Sequence, residues 1–250
     1  MDGRCIIPTY RSHLDADRPR YNEAMTDIPY EPFELELKAE ARRQALAEIR
    51  RRDQEELELF EFYVKETAKI IDAMDSEKDP DDDRAERYFR RRMMYSHVIY
   101  MASLLETYLK RACARVEASR PLAESKSAKN GCFKLQDIRG DKWDQPKKFL
   151  EVYCRFDFPG CWATLRLLAD VRNVLVHDNG SLESEEPAKR QQKQVAFENG
   201  GVKTDGFELI IEPELIANWL DAFHELIGVI EPRLQDEFDR AQALRVAPAL

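Results

Sequence analysis

No stretch of the chain approaches twenty consecutive apolar residues, and its start, Met1-Asp-Gly-Arg-Cys, lacks the apolar core of a signal peptide. A spanning helix needs the first and export the second, so the expectation is a cytoplasmic protein with no membrane partner. Cysteine is scarce and unpaired: Cys5, Cys113, Cys132, Cys154 and Cys161 are odd in number, scattered, and form no Cys-x-x-Cys. That pattern fits reduced thiols better than a disulfide framework or a zinc site. The four histidines are too dispersed to suggest a metal cluster, and there is no Gly-rich phosphate loop, no His-Glu-x-x-His and no Gly-x-Ser-x-Gly. Neither a metal nor a cofactor is expected. Positive charge is also short, with a net charge of -9, which argues against tight non-specific binding to phosphate polymers.

What the chain does have is charge and helix formers. Its 250 residues are 35% charged and 43% hydrophobic, enough for one large domain or a core domain with an extension. Residues 1–31 carry Pro8, Pro19 and Pro29 without a period and read as an extended arm. From Pro32 to residue 76 the composition is Glu, Ala, Arg, Leu and Gln, with a thin stripe at Leu37, Ala41, Ala45 and Ile49 and a second at Leu59, Tyr63, Thr67, Ile70 and Met74. One long helical extension is expected there, or two consecutive helices. Residues 77–83 form an acidic linker whose Pro and missing Gly do not match a calcium loop.

The body should span 84–232. Its first helix carries Met94, Val98, Met101, Leu105, Tyr108 and Ala112 on one stripe and Tyr95, Ile99, Ala102, Leu109 and Cys113 on the next. Glu106 interrupts that second row, so its carboxylate needs a partner: Arg172, or Lys110 one turn on. His97, among Met93, Met101 and Leu104, reads as a core histidine. Residues 120–143 form a long connection, and a short helix follows Asp144-Gln-Pro146. Gln194-Val-Ala-Phe197 and Phe207-Glu-Leu-Ile-Ile211 read as two strands joined through Asn199-Gly-Gly201, a small β-hairpin excursion over 194–211. Pro213 opens the last strong helix, with Ile216, Leu220, Phe223, Ile227 and Ile230 inward and Trp219 at the edge. His224, near the edge of that core, is expected to be structural. Pro232 should kink or stop this helix, leaving 233–250 as a helical turn and tail.

The chemistry concentrates at Leu168-Ala-Asp-Val-Arg-Asn-Val-Leu-Val-His-Asp-Asn-Gly180. Trp162, Leu165, Leu168, Val171 and Leu175 recur at helical spacing, and Asp178-Asn-Gly180 tolerates the left-handed backbone that ends a helix. His177 therefore occupies the last turn, with Asn173 one turn before it on the same face. Arg172 is five residues away, within reach of a long side chain.

Arg172-Asn173-x-x-x-His177 resembles the signature of the HEPN superfamily, small all-helical domains of toxin–antitoxin modules, CRISPR-associated nucleases and other RNA-targeting defence proteins. The resemblance covers about Glu86 to His177. It implies an all-α, HEPN-like helical bundle and a metal-independent endoribonuclease that acts as a homodimer, with an RNA substrate and an antitoxin or regulatory partner. In such an enzyme His177 transfers protons, Arg172 holds the phosphate and Asn173 holds the imidazole or a phosphate oxygen. Glu106 falls where related domains often place a polar brace. A local excess of positive charge between Lys126 and Lys148, including Lys142, Lys147 and Lys148, either guides the RNA or is a solvated loop. In toxin members silenced by nucleotide transfer a Tyr follows two positions after the His; here that position is Asn179, so this route of control is not expected. Two other readings stand beside the nuclease: a catalytically silent helical binding module, and a scaffold whose first helix recruits a partner.

Overall fold

A computed structural model describes residues 32–76, 83–119 and 135–246. The chain divides into two units, Met1–Arg43 and Gln44–Leu250. Of the first, residues 32–43 are described: they are helical, and Arg43 pairs with Glu40 at 3.3 Å. The arm at 1–31 and residues 77–82 of the acidic linker lie outside the described residues.

The described elements are α1 (Pro32–Ser76), α2 (Asp83–Ser119), a 3-10 turn at Leu135–Asp137, α3 (Asp144–Cys154), α4 (Cys161–His177), α5 (Pro187–Asn199), β1 (Lys203–Asp205), β2 (Glu208–Ile210) and α6 (Pro213–Val246). The fold is all-α with one small hairpin. Helix α2 is central because its two adjacent apolar stripes give it a wide face: Met94, Val98, Met101, Leu105, Tyr95, Ala102 and Leu109 are all buried. It packs on α3, α4 and α6, and α4 packs on α6. Each large aliphatic side chain in that core is worth roughly 2–5 kcal/mol against truncation to Ala.

Three placements differ from the sequence reading. On α1 the inward face is Leu57, Phe60, Thr67 and Ile71, whereas Leu59, Tyr63 and Ile70 are more than half or about half exposed. Two apolar stripes run side by side here, and only the neighbour decides which is buried: Phe60 meets His97 and Tyr100 of α2. Second, residues 194–197 are helical, in α5. Pro187 sits at its first turn, where its fixed φ suits a helix. The helix ends at Gly200 and at Gly201, with φ +88. The hairpin follows, with Lys203 opposite Ile210, Thr204 opposite Leu209 and Asp205 opposite Glu208. Its two-residue loop opens on Gly206 at φ +62, a conformation only Gly adopts cheaply.

Third, α6 runs through Pro232 to Val246. A helical Pro forfeits the bond to the carbonyl four residues back and crowds it; that residue is Gly228, which carries no side chain to add to the crowding. Burial of Leu234 and Phe238 beyond the Pro supplies the compensating free energy. Trp219 is fully buried, so it belongs to the centre of this face and not its edge.

A charged network also enters the core. Glu231 of α6 is 4% exposed and accepts two bonds from Arg115, at 2.7 and 2.8 Å, and one from the Tyr108 hydroxyl at 3.0 Å. Burial, with Glu231 beside it, pushes the Tyr108 phenol well above its usual range. Arg111 bonds Asp53 of α1, and His224 of α6 bonds Glu61. These contacts tie the 44–76 part of α1 to α2 and α6. His224 is thus structural, as its sequence position suggested.

Candidate functional site

Helix α4 carries the motif to its last turn. Leu165, Leu168, Val171, Val174 and Leu175 anchor it in the core, and the remaining face brings Arg172, Asn173, Val176 and His177 to the surface. The helix closes because the N–H groups of Asp178 and Gly180 both bond the Val174 carbonyl, at 3.0 and 3.1 Å. Asn179 at φ +55 and Gly180 at φ +84 take the left-handed turn. At Gly180 a Cβ would fall 2.5 Å from the Tyr95 ring, so the close approach and the backbone both demand glycine.

Arg172 is half-buried and donates from Nη1 to Asn173 Oδ1 at 3.2 Å. No described carboxylate lies within ion-pair distance of it. His177 is exposed and makes no hydrogen bond with a described residue. Among the described residues, a cation without a counter-ion and an imidazole without a partner therefore share the end of one helix. Chemically, that end can hold an anion and exchange a proton.

Glu106 does not join them. Its carboxylate is bonded by Lys110 at 2.7 Å and Lys142 at 3.0 Å. Burial pulls its pKa up, but the two lysines outweigh this and leave it lowered. Helices α2 and α4 run antiparallel, since Arg166 meets Asp141 beside Lys142 at one end while Asn179 meets Arg92 at the other. Glu106 thus lies near the start of α4, with the nearer lysines, and the motif lies at its finish. Spacing along one helix could not reveal that Lys142 folds back.

The three lysines proposed to meet RNA are engaged within the chain. Lys142 pairs with Glu106, and Lys147 with Glu151 at 2.5 Å, over the Phe158 ring. Lys148 reaches the Arg139 carbonyl at 3.4 Å. Lys126, Lys129 and Lys134 lie outside the described residues. Asp141 organises this corner: it accepts the N–H groups of Trp143 and Asp144, at 2.8 Å each, at the start of α3, and it pairs with Arg166. The Arg166 guanidinium holds its carboxyl well below the usual range.

His97 is fully buried between Phe60 and Tyr63, with neither ring nitrogen bonded. Burial drives its pKa down to about 4, so the ring is a neutral core group.

Sequence reasoning missed the other side of the motif. Arg92 of α2 bonds Asn179, two residues past His177, and lies over the Tyr88 and Tyr95 rings. The Tyr95 hydroxyl donates to the Leu209 carbonyl at 2.7 Å. The segment leaving the motif pairs with the hairpin: Leu209 N–H bonds the Gly180 carbonyl and Leu182 N–H the Phe207 carbonyl, each at 2.8 Å. The available signal was Arg87-Tyr-Phe-Arg-Arg-Arg92, four arginines and two aromatics in six residues.

No described helix is long and apolar enough to cross a membrane. No family model, curated protein or solved structure matches the chain.

Proposed function

We propose that the chain is a cytoplasmic, metal-independent endoribonuclease of HEPN type, a toxin or antiphage effector that works as a homodimer and is restrained by an antitoxin or regulatory partner. The observation that carries this reading is the placement of Arg172, free of any described carboxylate, and exposed His177 on the last two turns of α4.

The reaction is transesterification. The ribose 2′-oxygen attacks phosphorus and loses its proton to a general base; the bond from phosphorus to the 5′-oxygen breaks, and a general acid protonates the departing 5′-oxygen. The products are a 2′,3′-cyclic phosphate and a 5′-hydroxyl. His177 of one copy takes the first proton and His177 of a second copy supplies the other, because one imidazole cannot do both at once. Arg172 stabilises the charge gained by the phosphorane through its planar donors. Asn173, already bonded to Arg172, orients the guanidinium. Exposed Val176, beside His177, offers apolar surface for the second copy.

The test is incubation of wild type and His177→Ala with mixed cellular RNA in EDTA, with fragment ends mapped and oligomeric state measured in parallel. Wild-type cleavage leaving cyclic phosphate ends, slowed roughly 100- to 10,000-fold in the variant, is the expected result; DNA, lacking the 2′-hydroxyl, stays intact. Cleavage that survives the substitution sinks the assignment.

A second reading, a silent RNA- or protein-binding module or scaffold, is favoured by the exposed apolar row of Leu59, Phe62, Tyr63 and Ile70 on α1. A well-folded dimer without any cleavage would support it.

A further inference from the structure

We infer that the cleft between the first turns of α2 and the hairpin side of the fold is a docking subsite for one unpaired nucleotide of the RNA strand, its base stacked on Tyr88 and its phosphate held by the α2 arginines. The inference rests on the nuclease reading of the neighbouring motif.

The cleft has a volume of about 470 Å³ and is walled by Arg87, Tyr88, Arg90 and Arg91 on one side and by Asp205, Ile210, Ile211 and Glu212 on the other. That is the scale of a small-molecule pocket, enough for one nucleotide. Tyr88 is 62% exposed, so core packing does not explain a large aromatic at this position. One contact to its ring is the Arg92 guanidinium, 5.0 Å from the centroid. An aromatic ring beside arginines is the pattern that binds unpaired bases, which stack on the ring while the phosphate meets the guanidinium.

Charge selects the ligand further. Arg91 is paired with Glu208, Glu212 with Lys203 at 3.2 Å, and Asp205 lines the same cleft, so carboxylates temper the arginines. A single phosphodiester suits such a balance better than a polyphosphate. This also fits a protein of net charge -9, in which binding must come from a local cluster and not from the whole surface.

The cleft is joined to the motif through its walls. Arg92, next to Arg91, bonds Asn179. The chain leaving His177 bridges the hairpin at Ser181 and Glu208, and the hairpin leads into Ile210 and Ile211. Gly180 is three residues past His177, at most about 10 Å of chain. The cleft and the motif are thus joined by a short run of chain and by one side-chain contact.

The experiment measures binding of a short fluorescein-labelled single-stranded RNA by anisotropy, using the full chain with His177→Ala so that the strand stays intact. It compares Tyr88→Ala, Tyr88→Trp and Arg91→Gln in that background, with thermal unfolding as the control for folding. Tyr88→Ala should weaken binding about tenfold or more, Tyr88→Trp should retain it, and Arg91→Gln should lower the salt slope by about 0.7. Single-stranded DNA should bind with the same dependence on Tyr88, and a duplex should bind weakly. Unchanged affinity in folded Tyr88→Ala, equal loss in Tyr88→Trp, or no RNA binding at all overturns the subsite. The two ideas separate cleanly. Cleavage that needs His177 but ignores Tyr88 leaves the nuclease and removes the subsite; Tyr88-dependent binding by a wild type that never cleaves leaves the subsite and removes the nuclease.

Discussion

Two charged clusters, both touching α2, use their arginines in opposite ways. Around Glu231 each guanidinium is matched: Arg115, 10% exposed, forms a two-bond pair with Glu231, and Arg111 pairs with Asp53. At the end of α4, Arg172 has a neutral Asn173 as its hydrogen-bond partner, and His177 has none among the described residues. The first cluster contains its own counter-ions and therefore needs no ligand to complete it. The second has no counter-ion among the described residues, which does little for stability and leaves it open to an anion. Charge alone does not mark a site; charge without its complement does.

The contrast can be broken most forcefully at Glu231. Removing one member of a buried pair strands the other, at a cost of about 3–5 kcal/mol, so Glu231→Ala should lower the urea midpoint sharply. Replacing Glu231 and Arg115 together by apolar residues should recover much of that loss. If the single variant unfolds like wild type, the network is not architectural.

A smaller effect should come from His97, which belongs with the architectural groups although it has no hydrogen-bond partner. Its pKa falls from 6.5 to about 4 because burial penalises the cation. Between those values the unfolded chain binds a proton that the folded chain refuses. Stability is therefore complete above about pH 6.5 and drops as pH falls toward 4, by up to about 2–3 kcal/mol. His97→Leu should flatten unfolding curves recorded across that window; an unchanged slope would show that other groups set it.

The smallest stability change is expected at the motif. Arg172→Ala should alter unfolding free energy by no more than about 0.5 kcal/mol while abolishing RNA cleavage. Marked destabilisation instead would move Arg172 into the architectural class and favour the silent module.

Much of this was legible in one dimension. Helices α2 and α4 follow from apolar spacing, because a residue every three or four positions must share a face whatever packs on it. The end of α4 follows from Asn179 and Gly180, whose backbone freedom is intrinsic. The hairpin was misplaced toward 194–197 because a β-branched and an aromatic residue there, Val195 and Phe197, outweighed the helix-forming Pro187 and Gln191. The α1 face was misread because Leu57 and Leu59, or Phe60 and Phe62, are equally apolar, and choosing between them needs the neighbouring helix.

The sequence by itself determined that α2 and α4 are helical and that an arginine, an asparagine and a histidine ride the last two turns of α4, since both follow from local pattern and backbone preference. Only the tertiary structure decided which charges are neutralised. Lys142 returning to Glu106, Arg115 meeting Glu231, and Arg111 meeting Asp53 are long-range choices. They depend on how helices pack, and a Coulombic partner is set by distance in space, not by separation along the chain.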